Sequence, residues 1–162
     1  MKTVKIGSGF TLVELLIVVA ILGMLAAVGL GQYRTSQLKG RDAQRKADLG
    51  NLSRALEMYY NDFEAYPESD DDALIVVDGG PLPWGSEFST DEAIYMKVLP
   101  VDPQSPSQDY CYESSDGSYF FVFAALENEN DSDCVETYTC NSGDYCFYVN
   151  SSNAVPTPVI EE

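Results

Sequence analysis

An apolar run from Phe10 to Leu30 is the dominant hydrophobic feature of the chain. Its 21 residues, coiled as an α-helix, measure roughly 31 Å, which matches the hydrocarbon thickness of a bilayer. Glu14 is the only formally charged residue within the run. Because a charged side chain at membrane depth is costly, this carboxylate predicts a functional role and a partner. The pattern predicts a membrane-spanning helix over residues 10–31.

Beyond the run, apolar residues recur at three- and four-residue spacing, which predicts that the helix continues with one apolar face. This stripe consists of Leu49, Leu52, Leu56, Tyr59 or Tyr60, and Phe63. No proline interrupts residues 32–61, whereas Tyr66-Pro67 prevents the helix from resuming. We therefore expect an amphipathic second half of the helix over residues 32–62, with its stripe packed against a sheet.

After the helix, the pattern predicts a loop region over residues 63–109 and strands over residues 110–149. Residues 63–109 are polar and interrupted by Gly and Pro, so we expect loops there, with a short helix over Glu92–Leu99. The region 110–149 contains three strand candidates, Tyr110–Glu113, Tyr119–Leu126 and Tyr145–Val149. A small antiparallel sheet packed on a long N-terminal helix is an α+β fold. One face of the second strand should meet the helix, and loops or neighbouring subunits should cover the other. A flexible tail is expected over residues 151–162.

The charge of the chain is unevenly divided. Residues 1–54 contain eight Lys/Arg and three Asp/Glu, whereas residues 55–162 contain one Lys and 23 Asp/Glu. Nucleic-acid binding requires clustered cations that neutralise phosphates, so we expect no nucleic-acid partner for the acidic part. The chain has no histidine, which excludes Ser-His and Cys-His nucleophile pairs. We expect no enzymatic activity.

The segment Gly9-Phe10-Thr11-Leu12-Val13-Glu14-Leu15-Leu16 resembles the class III signal of type IV pilins and type II secretion pseudopilins. Three further segments are similar to G-type pseudopilins: Tyr59-Tyr60-Asn61-Asp62, Tyr66-Pro67 and Leu99-Pro100-Val101-Asp102-Pro103. The resemblance implies the pilin fold and a leader over residues 1–9. It also implies that a prepilin peptidase cuts between Gly9 and Phe10 and N-methylates Phe10. The mature chain is then expected to polymerise with other copies of itself on an inner-membrane assembly platform.

The resemblance assigns filament assembly to Phe10, Thr11 and Glu14. After cleavage, Phe10 carries a cationic amine, and in hydrocarbon neither this amine nor the Glu14 carboxylate is stable alone. Pairing between neighbouring subunits satisfies both groups, and removing one partner of such a buried pair costs ~3–5 kcal/mol. The alternative is that Glu14 lies near the headgroups, either protonated or capping the start of its own helix, where negative charge is favoured.

The orientation in the membrane depends on two opposing signals. Two lysines precede the apolar run and five Lys/Arg follow it within residues 34–46, so the positive-inside rule alone places the C-terminal end in the cytoplasm. The cysteines and the acidic remainder, however, are expected outside, and members of the resembled family commonly have charged residues after the membrane segment. We therefore predict a single-pass protein of the cytoplasmic membrane with its C-terminal part outside, which later enters a pilus or pseudopilus.

Four cysteines, Cys111, Cys134, Cys140 and Cys146, lie in the part predicted to be exported. An even number in an oxidising compartment predicts two disulfides. Three pairings are possible, and the sequence does not choose among them. In a simple meander the first and third strands are not neighbours, which disfavours a Cys111–Cys146 bond.

The stretch Glu127-Asn128-Glu129-Asn130-Asp131-Ser132-Asp133 is rich in the oxygen ligands that calcium prefers. The resembled G-type pseudopilins carry a calcium site in their C-terminal loop, which makes Glu129, Asp131 and Asp133 the candidate ligands. Their spacing does not match the EF-hand loop, and cysteines interrupt the region. We expect a solvated acidic loop without a metal or other cofactor, with calcium binding as the alternative.

Two classes of function follow from these observations. The first is a structural subunit of a type IV pilus or a type II secretion-like pseudopilus. The second is a monomeric, membrane-anchored, exported binding module, in one version calcium-binding, that does not polymerise. Glu14 discriminates between them, because only a filament requires a carboxylate at that position.

Overall fold

The structure is a computed structural model that describes residues 9–128, 130–134 and 136–154, without the side chains of residues 28–31. Most of the expected leader, Glu129 and the tail from residue 155 lie outside the described residues. The chain divides into two compact units, Met1–Leu38 and Lys39–Glu162. A long N-terminal helix and small antiparallel sheets give the α+β, pilin-like layout that the sequence predicts.

The helix α1 covers Leu12–Phe63. It ends where Glu64 adopts a positive φ of 57°, a left-handed conformation that commonly terminates helices. The Glu64 N–H still donates to the Tyr60 carbonyl oxygen at 2.8 Å. Tyr66-Pro67 follows at once and keeps the chain from re-entering the helix.

The described strands all follow α1 in the chain. They are β1 Ile75–Val77, β2 Gly80–Leu82, β3 Phe88–Ser89, β4 Ile94–Met96, β5 Cys111–Glu113, β6 Phe121–Ala124, β7 Tyr138–Cys140, β8 Gly143–Tyr145 and β9 Phe147–Asn150. Strands β5, β6 and β9 form an antiparallel sheet in that order, which is the predicted three-stranded meander. The other strands pair in sequence order as two-stranded antiparallel ribbons.

The segment 63–109 contains more regular structure than the loops that the sequence predicts. β1 and β2 form a tight hairpin around Asp78 and Gly79, whose φ values are 53° and 78°. Two positive φ values are typical of a type I′ turn, which an Asp-Gly pair favours. The short helix expected over Glu92–Leu99 is wrong, because β4 lies there and pairs with β3. Burial alternates along β4, and its central residue Tyr95 is buried.

The core lies between the second half of α1 and the three-stranded sheet. Leu49, Leu52 and Leu56 are fully buried and belong to one cluster with Phe120 and Val122. The three leucines of the predicted stripe are therefore core, and Tyr59 and Tyr60 pack against it, whereas Phe63 at the end of the stripe is exposed.

The opposite face of β6 is covered by the chain itself. Phe121 and Phe123 belong to a second apolar cluster with the tyrosines Tyr138 of β7 and Tyr145 of β8. The two-faced hydrophobicity of this strand is thus explained within one copy of the chain. No neighbouring subunit is needed to bury it.

The turn that leads into β6 requires glycine. Gly117 has a φ of 69°, and a Cβ at this position would lie 2.9 Å from the Tyr66 carbonyl oxygen. The Tyr66 N–H donates to the Gly117 carbonyl oxygen at 2.8 Å, so this close approach ties the turn to the segment that follows α1.

Candidate functional site

The first turn of α1 is closed by Thr11 and Glu14. The backbone N–H and the hydroxyl of Thr11 both donate to Glu14 Oε2, at 2.9 and 2.6 Å. The Glu14 N–H donates back to Thr11 Oγ1 at 3.3 Å. This reciprocal arrangement is a capping box, which satisfies donors that a helix start otherwise leaves free. The capping role considered as the alternative for Glu14 is therefore present in the structure.

Around this cap, the apolar side chains of the first unit are exposed. Phe10 is 74% exposed, and the large apolar side chains between Leu12 and Leu25 are 45–78% exposed. By length and composition α1 is apolar enough to cross a membrane, a criterion that a signal sequence near the N-terminus also meets. A continuous apolar surface of this extent requires lipid or other protein around it.

In the unit Lys39–Glu162, Arg45 is fully buried and binds three carboxylates. Its Nε and Nη2 donate to the two oxygens of Asp102 at 2.7 and 3.0 Å. Its Nη1 donates to Asp42 Oδ1 and Glu127 Oε1, both at 2.8 Å. Burial opposes the charge of the guanidinium, but the hydrogen bonds to Asp102 and Glu127 outweigh it and raise the pKa of Arg45. All three side-chain nitrogens thus have acceptors, as a buried charge requires.

Asp42 fixes the chain that follows β6. Its Oδ1 and Oδ2 accept hydrogen bonds from the backbone N–H groups of Glu127 and Asn128, each at 2.9 Å. Asp42 and Arg45 lie one turn apart on α1, so a short stretch of helix holds both the side chain and the backbone of residue 127. The buried ionic cluster, defined as Asp42, Arg45, Asp102 and Glu127, therefore joins three separate parts of the chain.

Glu127 has a second cation and an amide around its carboxylate. Arg41 Nε donates to its Oε1 at 2.6 Å, and Gln104 Nε2 donates to its Oε2 at 3.0 Å. The Arg41 guanidinium, assisted by that of Arg45, lowers the pKa of Glu127 to about 2. Glu127 is accordingly ionised throughout the physiological pH range.

Lys46, the residue after Arg45 on α1, binds two aspartates. Its Nζ donates to Asp131 Oδ1 at 2.5 Å and to Asp133 Oδ2 at 2.7 Å. Burial works against the ammonium charge, but these hydrogen bonds outweigh it and raise the pKa of Lys46. The same contact lowers the pKa of Asp131. The ammonium also lies 5.5 Å from the centre of the Phe147 ring, within the range of a cation–π contact.

Two of the three calcium candidates, Asp131 and Asp133, therefore lie together, but they do so around a lysine. Glu129 lies outside the described residues. Within the part of the chain that the structure describes, no group of three or more His, Cys, Asp or Glu residues is placed to hold a metal ion.

The four cysteines form two disulfides, Cys111–Cys140 and Cys134–Cys146. The first attaches β7, and with it the β7–β8 hairpin, to the edge strand β5. The second joins Cys134, directly after the acidic stretch, to Cys146, the residue that precedes β9. The sequence left the pairing open and disfavoured only Cys111–Cys146, a bond that these two pairs exclude.

The buried ionic cluster was not predicted. A signal was nevertheless present, because Arg45 lies four residues before Leu49, in register with the apolar stripe. A cation in line with a core stripe must find buried acceptors, and Asp102 in the Leu99–Pro103 segment provides two.

Comparisons with known proteins match this chain both at its N-terminal motif and over most of its length. The family model of the prokaryotic N-terminal methylation motif matches residues 7–30. The type II secretion system core protein G of Pseudomonas aeruginosa is 33% identical over 117 residues, which cover 69% of this chain and 78% of that protein. The chain belongs to the type II secretion system core protein G family. The core protein G of Vibrio cholerae is 34% identical over 116 residues, 70% of this chain and 75% of that protein.

A type IV pilin is also similar, over a shorter length. The type IV major pilin protein PilA of Myxococcus xanthus is 35% identical over 60 residues, which cover 37% of this chain and 27% of that protein. No solved structure matches the chain significantly. Membership of the core protein G family confirms the resemblance to pilins and pseudopilins on which the sequence-based prediction depended.

Proposed function

We propose that this member of the core protein G family is a structural, non-enzymatic subunit of a type II secretion pseudopilus or a closely related type IV pilus. The observation that carries the proposal is the position of the Gly9–Glu14 motif at the start of a helix whose apolar side chains are exposed as far as Leu25. The similarity to core protein G extends over most of the relative, whereas that to PilA covers 27% of it. This difference favours a pseudopilus.

The chain is made as a precursor in this proposal. A prepilin peptidase cuts between Gly9 and Phe10 and methylates the new amine of Phe10. The precursor crosses the cytoplasmic membrane once, with the unit from Lys39 onward outside. The two disulfides support this orientation, since such bonds persist in oxidising compartments outside the cytoplasm.

Assembly then removes the apolar half of α1 from the bilayer. Exposing this apolar surface to water is unfavourable, so the helix can leave the lipid only by packing into a bundle of identical helices. Glu14 exchanges its contacts with Thr11 for the cationic amine of Phe10 in a neighbouring copy. The inner-membrane assembly platform is the expected partner for this step.

A specific observation favours a second candidate, the membrane-anchored monomer. The capping box gives Glu14 a purely local role, which needs no neighbour. Two variants separate the roles. Glu14→Gln keeps a capping box, because glutamine also serves at this position, but it removes the charge. Glu14→Ala removes both.

The experiment expresses the wild type and both variants in a host with a functional assembly system. Processing is followed by intact mass, and filaments are followed by shearing and electron microscopy. We expect all three proteins to lose residues 1–9 and to gain one methyl group, and only the wild type to form filaments. Filaments from Glu14→Gln but not from Glu14→Ala would show that the cap, not the charge pair, is what assembly requires. An unprocessed wild type without filaments would establish the monomer.

A further inference from the structure

The acidic loop, defined here as the described residues 127–128 and 130–134, is attached to α1 by three side-chain cations. Arg41 and Arg45 bind Glu127, and Lys46 binds both Asp131 and Asp133. The cations lie within six residues of one another, so one and a half turns of the helix supply all of them. The loop is therefore attached to the helix by ion pairs, while Asn130, Ser132 and Asp133 remain exposed to solvent.

The resemblance to G-type pseudopilins implies calcium in this region, and the donor set can be tested against that ion. Calcium takes six to eight oxygen ligands at about 2.3–2.6 Å. Asp131 Oδ1 already accepts hydrogen bonds from Lys46 Nζ at 2.5 Å and from the Asp133 N–H at 3.0 Å. Lys46 Nζ thus lies between the two aspartates, where a shared metal ion would have to bind, and its charge repels a divalent cation. These residues do not fit calcium.

We propose that in this chain the cationic side chains of α1 take the place of calcium: Lys46 joins Asp131 to Asp133, and Arg41 and Arg45 hold Glu127. The loop is a structural element that is complete without a metal ion. The proposal goes beyond filament formation, because it concerns how the exported unit keeps its fold in a medium of changing calcium content.

Two further contacts make the attachment of the loop independent of an ion. Asp42 accepts the N–H groups of Glu127 and Asn128, so the backbone at the start of the loop is fixed as well as the side chains. At the other end, the Cys134–Cys146 disulfide ties the loop to the residue before β9. The described residues of the loop are thus tied to α1 at one end and to the residue before β9 at the other without an ion.

The test uses the full chain in detergent, with thermal unfolding followed by the fluorescence of Trp84, the single tryptophan. The wild type is compared in excess EGTA and in millimolar calcium, and calcium binding is measured directly by titration calorimetry. A site filled at about one hundred times its Kd raises the transition temperature by roughly ten degrees. We expect no shift and no binding heat. A calcium-dependent rise, or saturable binding, would overturn the proposal.

Variants of Lys46 test whether its ammonium group holds the acidic loop in place. Lys46→Met keeps most of the side-chain volume but loses the ammonium, and we expect its transition to fall by roughly 3–8 °C. Hydrogen exchange should accelerate at residues 130–134. Lys46→Arg should restore most of the loss.

The matched control is Lys97→Met, because Lys97 is an exposed lysine elsewhere in the same unit. It changes the net charge equally and should leave both the transition and the exchange of the loop unaltered. Equal behaviour of Lys46→Met and Lys97→Met would refute the attachment by Lys46. Since every readout is stability, exchange or binding, the result is independent of whether the chain forms filaments.

Discussion

Replacing Arg45 by methionine is expected to be among the most destabilising single substitutions in the exported unit. Methionine fills much of the same space, so the effect comes mainly from the lost charge. Arg45 and the side chain of Asp102 are fully buried, and Asp42 is nearly so. The substitution leaves these carboxylates in a water-poor environment without their cation. Removing one partner of a buried ion pair costs ~3–5 kcal/mol.

That loss is large against the stability of a typical domain, which is about 5–15 kcal/mol. We expect the urea midpoint to fall sharply when unfolding of the full chain in detergent is followed by circular dichroism and Trp84 fluorescence. The control is Arg54→Met, which removes an exposed arginine of the same helix whose Nη2 donates to Asn51. Its effect should be within about 0.5 kcal/mol of zero.

A double variant tests the mechanism itself. If the loss reflects uncompensated charge, removing Asp102 as well should cost less than the sum of the two single losses. We therefore expect Arg45→Met combined with Asp102→Leu to be clearly non-additive. A loss for Arg45→Met no larger than that for Arg54→Met, or strict additivity in the double variant, would refute the reasoning.

Two further predictions concern the disulfides and acid. Cys111 and Cys140 are separated by 29 positions in the sequence, and Cys134 and Cys146 by 12, so loop-closure entropy predicts losses of about 3.6 and 2.8 kcal/mol for the paired Cys→Ala variants. Both losses are measured by denaturation without reductant, and the reverse order would contradict the entropic account. The pKa of Glu127 is lowered to about 2, so its ionised form stabilises the fold above its ordinary pKa, and this contribution is lost as the pH falls from about 5 towards 2. Partial exposure keeps it below the roughly 3 kcal/mol that a shift of this size implies. The urea midpoint of the wild type should therefore drop more steeply with acid than that of Glu127→Gln, and parallel curves would exclude Glu127 as the cause.

Helices and strands with buried faces are the features that the sequence predicts most directly, because their apolar residues recur at a fixed period. Leu49, Leu52 and Leu56 repeat at helical spacing because one face of the second half of α1 is buried. The continuous apolar run Phe120, Phe121 and Val122 likewise indicates a strand with two covered faces. Such patterns extend over enough residues to be read without knowledge of the fold.

Features that depend on a distant partner could not be predicted in the same way. β3 and β4 contain two and three residues, too few to show a period, and Tyr95 of β4 packs against Tyr59 and Phe88, which are distant in the sequence or on the partner strand. The disulfide pairing depends on the path of the chain after β6. The buried ionic cluster brings together Arg45 and Asp102, which are 57 residues apart. The register of Arg45 with the apolar stripe indicates that it is buried, but nothing local identifies Asp102 as its partner.

The internal use of Arg41, Arg45 and Lys46 has a consequence for how copies of the chain meet. From Lys39 onward the chain contains six Lys/Arg and 25 Asp/Glu. Half of these cations, namely Arg41, Arg45 and Lys46 on α1, are already paired with carboxylates of the same chain. The surface of this unit is therefore strongly anionic, with Lys39, Arg54 and Lys97 as its exposed cations outside these contacts. Side-by-side copies repel one another at distances within the Debye length, about 8 Å at physiological ionic strength. The attraction between apolar helices must exceed this repulsion for copies to assemble. Because salt screens the repulsion, the ionic strength of the medium shifts the balance between subunits in the membrane and subunits in a filament.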